Sequence, residues 1–253
     1  MSLLEVKSVS KIYGKGNNAV HALKDIKFSV DKGEYIAIVG ESGSGKSTLL
    51  NIIGALDTPT EGKVIINNKD LFSMKDSELT VFRRRNIGFV FQGFNLIPEL
   101  TVEQNIIFPV LLDYKKPDRK YLEELLNILG LQERKNHLPS ELSGGQQKRL
   151  CVARALATEP QHIIFDESFS GLDVTLRKQI LHLLRNLRDE LRLSYLIITH
   201  DLDIAMYMAD TIHVMRFGKI IETVYKPQSF SDFHEPYSNE LVKAALSKRQ
   251  ALQ

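Results

Sequence analysis

One cysteine, Cys151, is all the thiol chemistry that 253 residues carry, which excludes an intramolecular disulfide and a cysteine-built zinc site. It reads as a small apolar residue on a helix. Long hydrophobic runs are missing too: Ser194 to Thr199 and Ile106 to Leu112 fall far short of the ~20 residues that a bilayer-spanning helix needs. The chain is therefore not expected to cross a membrane by itself. Its start, Met1-Ser2-Leu3-Leu4-Glu5-Val6-Lys7, lacks the basic, apolar and small-residue succession of a secretory signal, so residence in the cytosol is the expectation. Charge of one sign is scarce as well, because 33 Lys and Arg against 31 Asp and Glu leave only +2. That balance supplies neither a global basic field for nucleic acid nor an acidic tail, and partners must be read from local features.

What is present is apolar material for a core: 43% of the residues are hydrophobic, enough for one large α/β domain or two modest ones. Leu4 to Val9, Ala22 to Val30 and Tyr35 to Val39 read as strands, broken by turns at Gly14 to Asn18 and Asp31 to Gly33. Lys46 to Leu56 reads as a helix, Gly62 to Ile66 and Ile87 to Phe91 as strands, and Ser77 to Arg84 as a short helix. From Thr101 the pattern is helical, with Tyr121, Leu122, Leu125, Leu126 and Leu129 on one face before the stop at Gly130. Further helices are predicted over Ser143 to Ala157, Val174 to Leu191 and Leu202 to Ala209, separated by strands at His162 to Phe165 and Tyr195 to Thr199. Strands alternating with helices imply a parallel sheet covered on both faces. Lys226 to Tyr237 is rich in turns, precedes a short helix, and looks like an appendage.

Three motifs carry chemistry. Gly40-Glu41-Ser42-Gly43-Ser44-Gly45-Lys46-Ser47 fits the G-x-x-x-x-G-K-S phosphate loop, and it stands where that loop belongs, after an apolar strand and before a helix. Glycines let backbone N–H groups turn toward phosphate oxygens, and the helix start favours the same anion. Lys46 would reach the β- and γ-phosphates, Ser47 would ligate Mg²⁺, and Thr48 is a further phosphate contact. His162-Ile163-Ile164-Phe165-Asp166-Glu167 is an apolar strand ending in two carboxylates. Beside a nucleotide, Asp166 would hold Mg²⁺ through its water shell and Glu167 would polarise the attacking water. Leu142-Ser143-Gly144-Gly145-Gln146 opens a helix and offers a second anion site that a simple phosphate-loop enzyme does not need.

This last segment resembles the signature sequence of the ABC ATPases, and the remaining motifs of that family follow in order over residues 2 to about 224. The resemblance implies a RecA-like P-loop NTPase core with an N-terminal antiparallel β-subdomain. It divides the chain into an ATPase domain at 1–225, with a helical subdomain at about 93–160, and an extension at 226–253. Tyr13 falls where the family stacks an aromatic on adenine, and Gln92 at the Q-loop glutamine that meets Mg²⁺ and the attacking water. Ser170-Gly171-Leu172-Asp173 resembles the D-loop, with Asp173 near the nucleotide, and His200 resembles the switch histidine at the γ-phosphate. Gly171 stands where alanine is usual, and Ser168 where proline or alanine is commoner. ATP and Mg²⁺ are the implied cofactors. A second ATPase subunit would complete each site with Ser143, Gly144, Gly145 and Gln146, and an integral membrane permease would receive the stroke. The implied place of work is the cytoplasmic face of the membrane.

Two branches of the family are legible. Leu50 to Asp57, Ile87 to Gln92 and Phe94 to Pro98 resemble the macrolide-export and lipoprotein-release branch, whereas Ser170 to Val174, Tyr195 to Asp201 and His234-Glu235-Pro236-Tyr237-Ser238 resemble dipeptide, oligopeptide and nickel importers. Because the stretch that would meet the permease is of the export type, export or release of a peptide- or lipopeptide-like cargo is the reading, with import and a non-transport ATPase as alternatives. Phe94, Leu96, Ile97 and Pro98 are expected to be largely exposed, as a docking surface should be.

Overall fold

The computed structural model describes residues 2–169, 172, 174–191 and 193–251. Along the chain come β1 (Ser2–Tyr13), β2 (Val20–Asp31), β3 (Tyr35–Val39), α1 (Lys46–Ile53), β4 (Glu61–Ile66), β5 (Lys69–Asp70), α2 (Asp76–Asn86), β6 (Ile87–Val90), α3 (Val102–Leu112) and α4 (Arg119–Ile128). They are followed by α5 (Gly144–Leu156), β7 (His162–Asp166), α6 (Val174–Leu191), β8 (Ser194–Thr199), α7 (Leu202–Met208), β9 (Thr211–Arg216), β10 (Lys219–Tyr225) and α8 (Pro236–Ala251). The chain forms two compact units, Met1–Leu79 with Ser194–Gln253, and Thr80–Leu193. Among the described residues no helix is long and apolar enough to cross a membrane.

In the first unit β2, β1, β4 and β5 make an antiparallel sheet. Leu4 and Val6 of β1 point inward on the two-residue period of a strand, and the period slips before Val9 at a bulge where Ser8 takes a φ of 52°. Leu23, Ile26, Val64 and Ile66 are likewise buried. The second sheet of this unit runs β10-β9-β3-β8, with β3 parallel to both β8 and β9. Every residue of β3 and β8 is buried, as expected of strands covered on both faces. Tyr35 and Tyr195 sit opposite one another in register and stack at 4.2 Å between ring centroids.

The hairpin of β9 and β10 was not among the predicted elements, although Thr211 to Arg216 alternates and Phe217-Gly218 can turn. The extension after residue 225 also differs from the expected appendage. Phe233, Tyr237, Val242 and Ala245 are buried against Ala37 and Val39 of β3, and α8 is sixteen residues long.

In the second unit β6 and β7 pair in parallel, Val90 opposite Phe165. The single helical run predicted from Thr101 resolves into two helices. Thr101 and Gln104 form a capping box at the start of α3, and after Pro117 the Asp118 carboxylate accepts from the Lys120 and Tyr121 N–H groups to open α4. Leu122, Leu125 and Leu126 then face inward. Asp113, between the two helices, is buried and holds Arg85 through both carboxylate oxygens, at 2.9 and 2.8 Å.

Candidate functional site

The candidate groups lie at the carboxyl ends of parallel strands in each unit, where open α/β sheets bind ligands. In the first unit Val39 of β3 is paired with Thr199 of β8, so Gly40 and His200 leave neighbouring strands at the same end. In the second, Val90 of β6 is paired with Phe165 of β7, so Gln92 and the pair Asp166 and Glu167 share one end.

The loop 40–48 is pressed into its shape by backbone contact. Gly40 has a φ of 156°, and a Cβ placed there would lie 2.2 Å from the Met215 carbonyl oxygen. Gly45, at φ 105°, caps α1 and would meet the Ala22 carbonyl at 2.6 Å. No side chain fits at either place. Ser44 is held from both sides: its N–H donates to Glu41 O at 3.2 Å and its carbonyl accepts from the Gly218 N–H at 2.9 Å. Lys46 is buried and curls back over the loop, donating to Gly40 O and Glu41 O, each at 2.8 Å. Glu41, Ser42, Gly43 and Ser47 are exposed, with Thr48 half-buried.

Tyr13 is 41% exposed and its ring is fixed at the edge of this loop. Its hydroxyl donates to Asp57 Oδ2 at 2.6 Å, the Thr48 side chain hydrogen-bonds the same phenol, and Lys11 Nζ stands 4.8 Å from the ring centroid. Burial and the Asp57 carboxylate together raise the phenol's pKa. His200 is exposed at the corner between β8 and α7. That corner is tight because Asp201 caps α7 by accepting from the Asp203 and Ile204 N–H groups, while its own N–H donates to Thr199 Oγ1 at 3.0 Å.

In the second unit Glu167 follows β7 with a φ of 43°, in the left-handed region where an ordinary side chain is held at a cost of about 1–3 kcal/mol. Ser168, the departure noted beside it, is buried and donates to Val90 O across the strand pair. A proline or alanine could not make that bond. Gln92 is exposed just beyond β6.

Ser143 caps α5: its hydroxyl accepts from the Gln146 N–H at 3.4 Å, and Gln146 Oε1 accepts from the Ser143 N–H at 2.9 Å. The hydroxyl proton remains available to an anion. Ser143 and Gly144 are exposed, whereas Gly145 is buried under Leu176, which a Cβ would overlap at 2.4 Å. Of the predicted site residues, Asp173, with Ser170 and Gly171, lies outside the described residues.

The loop after Gln92 differs from expectation. Phe94, Leu96 and Ile97 are half-buried and only Pro98 is exposed. Asn105 draws the loop down, its amide donating to Ile97 O at 3.0 Å and Leu100 O at 2.8 Å. Cys151, buried on α5, donates its thiol to Phe94 O at 3.1 Å. Three contributors to the site's framework were not anticipated: Lys148, which reaches the Phe91 and Gln92 carbonyls; Asp57, which orients Tyr13; and Tyr237, which accepts from the Glu41 N–H. Each acts over more than forty residues of chain, a distance at which local pattern is silent.

The family model of the ABC transporter matches residues 23–170, more than half of the chain. The ABC transporter ATP-binding protein MJ0796 of Methanocaldococcus jannaschii is 42% identical over 236 residues, 91% of this chain and 100% of its own. Methionine import ATP-binding protein MetN 1 of Bacillus thuringiensis subsp. konkukian is 41% identical over 222 residues, 87% of this chain, which spans 65% of that protein. Among solved structures, the dimeric post-hydrolysis state of the cassette MJ0796 bound to ADP and Pi superposes with a TM-score of 0.80 at 39% identity, covering 89% of this chain and 100% of that one. The cbiO1 protein of Clostridium perfringens, described as part of the ABC transporter complex cbiONQ, gives 0.81 at 30% identity over 99% and 98% of the two chains.

Proposed function

The chain belongs to the ABC transporter family of ATP-binding proteins, and on that footing we propose that it binds and hydrolyses ATP as the cytoplasmic-face engine of a transporter, working as a pair of copies on a separate membrane permease. The observation that carries this reading is the exposed, capped start of α5. Ser143 and Gly144 present a hydroxyl and helix-start N–H groups to solvent, an anion site open to the nucleotide of another copy. A dimer of the similar cassette MJ0796 with ADP and Pi supports the same arrangement.

In this reading the N–H groups of 40–48 and the Lys46 ammonium take the phosphates, and Tyr13 offers its face to adenine. Glu167, held at one backbone setting, polarises the attacking water, and His200 contacts the γ-phosphate. The donors proposed for Mg²⁺ are the Ser47 hydroxyl, the Gln92 side chain and, through water, Asp166; all offer oxygen, which suits a hard cation. No group of three His, Cys, Asp or Glu side chains stands together among the described residues. A Mg²⁺ held there would supply positive charge against the oxygens of the transferring phosphoryl group. Closure of the pair on ATP and reopening after hydrolysis would move the permease.

The cargo under this reading is peptide- or lipopeptide-like, moved outward or released. Similarity to methionine import proteins favours import as the second reading. The test is Glu167→Gln: it should bind ATP, turn over very slowly, and elute as a dimer only with ATP, while the wild-type chain copurifies with a polytopic membrane subunit. A variant that stays monomeric with ATP, or a wild-type chain that no membrane protein accompanies, returns the reading to a free-standing ATPase.

A further inference from the structure

The phosphate loop is held by two elements that lie far from it in the chain. The Glu41 N–H donates to the hydroxyl of Tyr237 at 2.9 Å across 196 positions, and the Ser44 carbonyl accepts from the Gly218 N–H at 2.9 Å. Tyr237 is the second residue of α8, directly after Pro236, and is 3% exposed. Its ring packs in the cluster that contains Val39 and Phe233, and the guanidinium of Arg216 lies 4.3 Å from the ring centroid. Arg216 ends β9, two residues before Gly218. The hairpin corner and the start of α8 thus brace each other and grip the loop at two points.

Glu41 comes directly after Gly40, whose backbone setting a glycine adopts with little preference, and the peptide that joins them is held on its carbonyl side by Lys46 and on its N–H side by Tyr237. A loop that binds an anion through its backbone must either be ordered beforehand or lose conformational freedom on binding, and that loss weakens affinity. We propose that Tyr237 is a positioning residue for nucleotide binding: its hydroxyl orders the entry to the phosphate loop, so the C-terminal helix sets the affinity for ATP. This rests on the phosphate-loop reading of residues 40–48. The contacts of Tyr237 fall on the Glu41 N–H and the Arg216 guanidinium, so its effect is expected on binding and not on the chemical step. Burial raises its pKa, which keeps the phenol protonated at working pH.

Tyr237→Phe removes one oxygen and leaves the ring, its packing and the Arg216 contact in place. In the full chain it should raise both the Kd and the KM for ATP by about five-fold, the scale of one neutral hydrogen bond, with kcat within two-fold of wild type. Amide hydrogen exchange at Glu41 should quicken about ten-fold while Val39, inside β3, keeps its protection. The inference requires both changes: wild-type KM, or wild-type exchange at Glu41, overturns it. Lys46→Ala serves as the control. If that variant loses ATP and Tyr237→Phe does not change, only the role of Tyr237 falls; if the wild-type chain itself binds no ATP, the phosphate-loop reading falls with it.

Discussion

The ammonium of Lys148, midway along α5, donates to the backbone carbonyl of Gln92 at 3.3 Å and to that of Phe91 at 3.0 Å. Lys148 is 2% exposed, and burial lowers its pKa. A buried cation that rests on two carbonyls ties them firmly, since hydrogen bonds to a charged group exceed neutral ones. The helix that begins at Ser143 and the glutamine after β6 are therefore one mechanical piece within their unit.

Lys148→Met keeps the length and apolar stem but removes the charge, leaving both carbonyls without this donor. Equilibrium unfolding in urea should show a loss of roughly 1–3 kcal/mol. ATP affinity should hold while kcat falls, because Gln92 and not the phosphate loop is released. Direct binding beside steady-state turnover checks this, and an unchanged kcat would separate Gln92 from the reaction.

At the adenine end of the proposed nucleotide site, Asp57 accepts from Tyr13 at 2.6 Å and from Lys11 at 2.7 Å. Burial disfavours its charge, but the hydrogen bonds from Lys11, Tyr13 and the Thr58 N–H prevail and hold its pKa below the usual carboxylate value. Removing the aromatic face with Tyr13→Ala should weaken ATP binding by about 1–3 kcal/mol. Asp57→Ala leaves the face but frees its angle, so about a three-fold loss is expected, on the scale of a few tenths to one kcal/mol for a half-exposed hydrogen bond. Displacement of a fluorescent ATP analogue measures both. Wild-type affinity in Tyr13→Ala would remove Tyr13 from the site.

Two buried histidines make the fold sensitive to acid. Desolvation lowers the pKa of His162 and of His213 to about 4, each from an ordinary 6.5. Both are neutral in the fold, and both take up protons in the unfolded chain first. Between pH 6.5 and 4 the unfolded state binds more protons, so stability is fully present above about 6.5 and declines as pH falls toward 4. The decline should reach on the order of 2–3 kcal/mol per histidine. Urea midpoints at pH 7.5, 5.5 and 4.5 measure it, and His162→Leu should flatten its share of the slope. An equally steep slope in that variant would place the acid sensitivity elsewhere.

Much of the fold was legible where one physical cause dominates. Tyr35 to Val39 and Val174 to Leu191 were placed at their observed bounds because a fully apolar run and an amphipathic period have no competing reading. The tight glycine loop before α1 and the capped start of α5 were equally plain, being contiguous in sequence. The split of the helical run at Asp113 to Pro117 was missed because Leu and Ile continue on both sides, and only the Asp118 cap marks the restart. The path of the loop after Gln92 depends on Asn105, which holds Ile97, and on Cys151, which holds Phe94, and the grip on Glu41 depends on Tyr237. Such contacts are set by the path of the chain in space, to which periodicity carries no reference.

In the proposed nucleotide site, a phosphate reaching Lys46 would meet an ammonium that already has partners. The side chain gives its protons to Gly40 O and Glu41 O at 2.8 Å, with Ser44 Oγ at 3.5 Å. Phosphate oxygens would compete for bonds that exist, and a carbonyl that loses its donor would bond water instead. In a titration calorimeter the heat released at this residue is accordingly the difference between two sets of hydrogen bonds, smaller than the new contacts alone would suggest. The lysine's rotamer freedom, up to about 2 kcal/mol, has already been given up in the folded chain, so binding has less disorder left to remove there.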